Sequence, residues 1–133
     1  RHAYKIAKRI KELNDNIDVL AITSAVDQVT PFKYRLKTYS RIFQALRIAT
    51  NDELNHLKFF LDNFIDLLSP QGRIVVISYH SIEDRIVKHK FKDLKNKKKM
   101  NLIYKKPLIP SKEEVGLNKR ARSAKMRVGE KIG

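Results

Sequence analysis

Four consecutive β-branched residues, Ile74-Val75-Val76-Ile77, run without a turn residue into a polar cluster, Ser78-Tyr79-His80-Ser81-Ile82-Glu83-Asp84-Arg85. The run is too uniformly apolar for a strand with one wet face. It predicts a strand over 73–79 buried on both sides, as in a parallel sheet covered by helices. Ser69-Pro70-Gln71-Gly72 supplies the turn that feeds it. A helix from Asp84 to about Lys95, carrying Ile86, Val87, Phe91 and Leu94, leaves it. In α/β folds the carboxyl end of such a strand is where ligands and catalytic groups gather.

The flanking sequence is helical on one side and mixed on the other. Residues 2–13 place Tyr4, Ile6, Ala7, Ile10 and Leu13 on one stripe, and Asn14-Asp15-Asn16 is expected to end that helix. A short helix is expected over Thr23–Val29, capped by Thr23 or Ser24 and stopped by Thr30-Pro31. Residues 31–38 read as basic and irregular. The strongest helical pattern covers 40–49 and 51–68, and Thr50 with Glu53 matches a capping box that favours a break between them. After the central helix, Asn96–Met100 reads as a solvated lysine loop and Leu102–Lys106 as a short strand. Ser111 caps a helical turn, and 123–128 is a strand in which Ala124, Met126 and Val128 alternate with Lys125 and Arg127. The order is α/β, with one strong strand and two weaker ones.

Charge divides the chain unevenly. Residues 1–84 hold 12 Lys and Arg against 10 Asp and Glu, whereas residues 85–133 hold 17 against 4. An excess confined to the last third is the electrostatic footprint expected of a chain that meets a polyanion, nucleic acid above all. A merely soluble basic surface is the bland alternative. The absence of Cys excludes disulfides, thiolate zinc sites and a Cys nucleophile, and fits a reducing compartment. No apolar stretch approaches the roughly 20 residues of a membrane-spanning helix, so no membrane partner is expected. The chain opens without Met and in mid-pattern, as a fragment or trimmed product would.

His80, Ser81, Glu83 and Asp84 supply the residue types of a hydrolase triad. Their adjacency argues against one, because neighbours in sequence cannot normally line up as nucleophile, base and orienter. The cluster also lacks the paired histidines of a zinc helix, and no metal is expected. The structural reading makes Ser81 the cap of the next helix, with Glu83 and Asp84 favoured in its first turn by the helix dipole. His80 and Arg85 fit that reading less well, and His80 at a strand end is a candidate site residue. Arg41, Gln44, Arg47 and Asn51 form a polar stripe that suits a solvated helix face or a functional one equally. Asn118-Lys119-Arg120-Ala121-Arg122-Ser123 is a compact basic loop suited to phosphate. Tyr79 and Tyr104 could stack on bases, or simply pack. Gly72, Gly116, Gly129 and Gly133 stand singly, so no glycine-rich nucleotide loop is present.

Three of these segments together carry a resemblance. Phe43-Gln44-Ala45-Leu46-Arg47-Ile48-Ala49-Thr50-Asn51-Asp52-Glu53-Leu54 resembles the FQALRI-x-VN-x-EL signature of the bacterial ribosomal RNA small-subunit methyltransferase H family, formerly called MraW, with Thr50 in place of Val. Ser78 to Lys88 resembles the family's SFHSLEDRIVK, with Tyr79 for Phe and Ile82 for Leu. Asn118 to Arg127 is similar to its N-x-RARSAKLR, and Lys106-Pro107, Pro110-Ser111 and Glu113-Glu114 fit the segment between. His2–Arg9 resembles the helix after the family's GEE-R motif.

The resemblance implies part of a class I, Rossmann-like methyltransferase fold. On it, residues 1–40 are the end of an inserted helical, substrate-recognition domain and 41–133 the carboxy-terminal part of the α/β domain. It implies methylation of a cytidine N4 in 16S ribosomal RNA with S-adenosylmethionine as donor, in the cytoplasm. The amine must meet the methyl sulfonium in line, which asks for positioning and a proton sink. The family's amino-terminal half, with its glycine-rich cofactor loop, has no counterpart in this sequence. No cofactor-binding residue can therefore be carried over, and the chain alone is expected to be inactive. The resemblance assigns His80 and Ser81 to the wall of the target-base pocket, and Arg47, Asn51, Arg85, Arg120, Arg122 and Ser123 to RNA or to bracing the site. A non-enzymatic RNA- or ribosome-binding module is the competing function, and a hydrolase through His80 and Ser81 comes third.

Overall fold

The computed structural model of the chain describes residues 2–13 and 17–133, and these fall into two compact units, Arg1–Asp52 and Glu53–Gly133. The Asn14-Asp15-Asn16 segment, expected to end the first helix, lies outside the described residues.

The first unit is helical. α1 (His2–Lys11) buries Ile6. α2 (Val19–Asp27) buries Ile22, Ala25 and Val26. α2 starts earlier than expected because Asp18, not Thr23 or Ser24, caps it, accepting from the Ala21 amide at 2.6 Å. Residues 32–34 form a single 3-10 turn, and α3 (Arg35–Thr50) follows at once. The basic stretch, expected to be irregular, is therefore mostly helical. It is held by Arg35, which donates to the Asp27 and Thr30 carbonyl oxygens at 3.1 and 3.2 Å, while the Tyr39 hydroxyl bonds the Asp27 carboxylate. A guanidinium that satisfies the open carbonyls at the end of α2 fixes the turn into α3.

The second unit stacks two helices on one face of a small sheet. The expected break falls after Thr50, where Asp52 takes a left-handed φ of 51°, tolerable for Asp, before α4 (Glu53–Leu67) begins. Thr50 is the last residue of α3 and not a cap. β1 (Arg73–Ser78), α5 (Ser81–Asn96), β2 (Met100–Leu102), the short α6 (Lys112–Leu117), a 3-10 turn at Lys119–Ser123 and β3 (Lys125–Lys131) complete the unit. The strand order is β1-β3-β2, and both pairings are antiparallel. α4 contributes Leu61, Phe64 and Ile65 to the core, α5 contributes Val87, Phe91 and Leu94, and the sheet contributes Ile74 and Met100. Each such side chain contributes about 1.5–3 kcal/mol of burial. The core sets the helical spacing of α5 from its inner face.

β1 differs from expectation in two ways. Its pairing within the chain is antiparallel, and only one of its faces is covered. Ile74 is buried, whereas Val75 and Ile77 are 55% and 52% exposed. A run of β-branched residues marks a strand that can be covered on both sides, but partner direction is set by where the chain returns. Here it returns through β3. β2 starts two residues earlier than expected, with its first residue, Met100, fully buried, and Lys98, with φ 56°, makes the turn before it.

Candidate functional site

β1 ends at Ser78, and the register sets Ser78 opposite Lys125, the first residue of β3. Antiparallel pairing thus brings the segment leaving β1 and the segment entering β3 to the same end of the sheet. His80–Arg85 and Asn118–Ser123, far apart in sequence, share that end.

His80 caps α5, a role the sequence reading gave to Ser81. Its backbone is extended, and its Nδ1 accepts from the Glu83 amide at 3.3 Å. Glu83 Oε2 reaches back to the amides of Tyr79 and His80 at 3.2 and 3.4 Å, completing a capping box. An imidazole nitrogen serves where a serine hydroxyl usually does, and the Glu three residues on is the sequence signal that identifies it. The hydrogen-bond network fixes the tautomer. With the Nδ1 lone pair taken, the neutral ring carries its proton on Nε2 and has no lone pair for general-base work.

Nε2 is buried without a hydrogen-bond partner among the described residues, 3.2 Å from Glu83 Oε1 but out of alignment with it. Glu53, His80 and Glu83 bring potential ligand atoms within 4.8 Å of one another. A cation on Nε2 would move the ring proton to Nδ1, against the Glu83 amide, and end the capping bond. His80 and Glu83 are thus engaged in a helix cap that such a cation would disrupt. Ser81, the first helical residue, is exposed, and so is Arg85 one turn later.

Asp84 is the residue that sequence reasoning undervalued. It is buried, and it accepts from Arg127 Nε at 2.8 Å and Lys125 Nζ at 3.4 Å. Burial alone would raise its pKa. The Arg127 hydrogen bond and charge, then Lys125, outweigh burial and hold it below the usual carboxylate value. The alternation of β3 explains the placement: Lys125 and Arg127 face α5, opposite Ser78 and Val76, and need an acid there. The signal was two basic residues of one strand phase in β3 and an acid in the first turn of α5, the helix that packs on the same face.

The basic loop is ordered as a 3-10 turn. The Asn118 carboxamide accepts from the Arg120 amide at 3.1 Å, and Ala121 is buried as its anchor. Arg120, Arg122 and Ser123 point to solvent around that anchor. Arg47 and Asn51 belong to the other unit, near the end of α3 and at its C-cap, where the Asn51 amide donates to the Arg47 carbonyl at 2.9 Å. Of the residues singled out from sequence, the fold thus gathers His80, Ser81, Arg85, Arg120, Arg122 and Ser123 at one end of the second unit.

Residues 1–132 match the sequence pattern of the MraW methylase family. The chain is 43% identical over 135 residues to the ribosomal RNA small subunit methyltransferase H of Synechococcus elongatus, covering 99% of this chain and 45% of that protein. It is 43% identical to the protein of the same name from Nostoc punctiforme, over 99% of this chain and 44% of the relative. The Dictyoglomus turgidum protein of that name is 45% identical over 130 residues, 96% of this chain and 43% of the relative. The chain spans less than half the length of these curated relatives. Among the described residues no helix is long and apolar enough to cross a membrane.

Proposed function

The chain belongs to the MraW methylase family, and on that premise we propose that it is the carboxy-terminal part of an enzyme that methylates ribosomal RNA. The reaction is transfer of a methyl group from S-adenosylmethionine to N4 of a cytidine in 16S ribosomal RNA, in the cytoplasm. Residues 1–40 end a helical, substrate-recognition insertion, and 41–133 belong to a class I α/β domain.

The observation that carries this reading is the Ser78–Lys125 register, which sets the His80–Arg85 segment beside the exposed arginines of the 118–123 turn. A polyanionic substrate led to a strand end by Arg85, Arg120, Arg122 and Ser123 would meet a wall made by His80 and Ser81. Arg offers planar, multidentate recognition of phosphate. His80 acts in that wall as a fixed ring and not as a proton acceptor, since its free lone pair is spent on the cap. The half-exposed apolar face of β1 supports a larger sheet, in which further chain covers Val75 and Ile77.

The methyl donor does not fit the residues described. Gly72 closes the turn before β1 and Gly129 sits inside β3 against Met100, so neither belongs to a glycine-rich cradle. On this reading the family's other half holds the donor. The test is methyl transfer from radiolabelled S-adenosylmethionine to small ribosomal subunits. The chain alone transfers nothing. The chain joined to the upstream half of a relative transfers the label, and a well-folded joined protein without transfer overturns the reading.

A further inference from the structure

We propose that the outer face of α5, with Tyr104 and Lys105 beside it, is a track for single-stranded RNA, distinct from the arginine turn at 118–123. This deepens the reading of an RNA substrate and rests on it.

The basic residues of α5 are of two kinds. Lys90 pairs with Asp62 of α4 at 2.6 Å, and Lys97, the C-cap, pairs with Asp93 at 2.8 Å. Arg85, Lys88, Lys92 and Lys95 are all exposed, and none of the four has a carboxylate partner among the described residues. Their spacing of three, four and three residues puts them on one helix face. They span ten residues, about 15 Å along the axis. Lys90 and Lys97 each meet an acid. This face carries four cations in succession, beginning at the strand-end site.

The face is also shaped. Lys88 and Lys92 converge with Lys105 on a concavity of about 120 Å³ whose floor includes Phe91 and Leu102 and whose edge is Tyr104. Arg127 lines it as well, but its charge is already met by Asp84. No acidic residue lines it. Three ammonium groups round one concavity repel each other until an anion enters, and the Tyr104 ring, 48% exposed, stands beside them. Cations that follow a backbone beside an aromatic face are the two parts of a single-strand site: phosphate binds the former, and an unstacked base lies on the latter. A duplex offers no base face to Tyr104.

Fluorescence anisotropy with a labelled single-stranded RNA of about twelve nucleotides, and with its duplex, tests the proposal. The proteins are the chain, the triple variant Lys88→Ala, Lys92→Ala, Lys105→Ala, and Tyr104→Leu. The triple variant should bind the single strand about tenfold or more weakly and lower the slope of log K against log salt by about 2, near 0.7 per lost phosphate contact. Tyr104→Leu should lose about fivefold or more for the single strand, keep the salt slope, and leave duplex binding unchanged. All substituted positions are exposed, and thermal unfolding of each variant checks that the fold persists. If the chain binds RNA and the triple variant keeps its affinity and slope, the track is overturned while the RNA reading stands. If Tyr104→Leu matches the chain, the face is a general polyanion surface, one an acidic protein would serve equally, and the proposal also fails. If the chain shows no salt-dependent RNA binding at all, both readings fall.

Discussion

Asp84 couples helix to sheet through two charged partners, and its linkage to pH follows from its direction of shift. A carboxylate held below its ordinary value contributes stability that is fully present above the unfolded value of about 3.9 and is lost as pH falls through the lower folded value. Asp84→Asn should therefore lose roughly 1.5–3 kcal/mol at pH 7, and its deficit against the wild type should shrink as the pH falls below about 4. Urea unfolding across that range measures it. Gly129 is the second decisive residue. A Cβ there would lie 2.5 Å from Met100 Sδ, in a side chain with no exposure. Gly129→Ala should cost about 1–3 kcal/mol, because the fully buried Met100 side chain must repack to clear the new Cβ. A smaller residue at Met100 should recover part of that loss, which chemical unfolding of the double variant would reveal. Neither residue announced itself in sequence: Asp84 read as a first-turn acid and Gly129 as an isolated glycine, since both roles depend on strands that meet only in the fold.

At the scale of the element, α5 shows what local sequence can reveal. Its apolar spacing located it, and Glu83 three residues after His80 contained the true cap. The usual preference for hydroxyl and carboxylate caps directed attention to Ser81 instead. His80→Ala should cost about 1 kcal/mol of stability, and His80→Asn should restore most of it, because Asn also accepts from the third amide. If the Asn variant of the joined protein also keeps methyl transfer, His80 serves as cap and wall. A loss of transfer in a fully stable Asn variant would restore a chemical role to the ring. β1 was legible as a strand from four residues, whereas its partner and direction were not. Those depend on β3, more than forty residues later in the pairing Ser78–Lys125. The 118–123 segment was legible as basic, but not as a 3-10 turn, because its order rests on the burial of Ala121.

For the whole molecule, the division of charge read from sequence has a structural counterpart. The basic last third supplies the outward face of α5, the 118–123 turn and the inward pair on β3, and only the last is bound to Asp84. The sheet that carries these groups leaves Val75 and Ile77 half exposed, as one part of a larger α/β sheet would. On the proposed function the strand-end cluster is one wall of a larger site, and the capping of His80 leaves its ring a positioning role there. Nucleoside mass spectrometry of small-subunit RNA tests this most directly, after reaction with the chain joined to the upstream half of a relative. New N4-methylcytidine should appear in that sample and none with the chain alone; N4-methylcytidine produced by the chain alone, or a methyl group found on a different base, would contradict the proposed function.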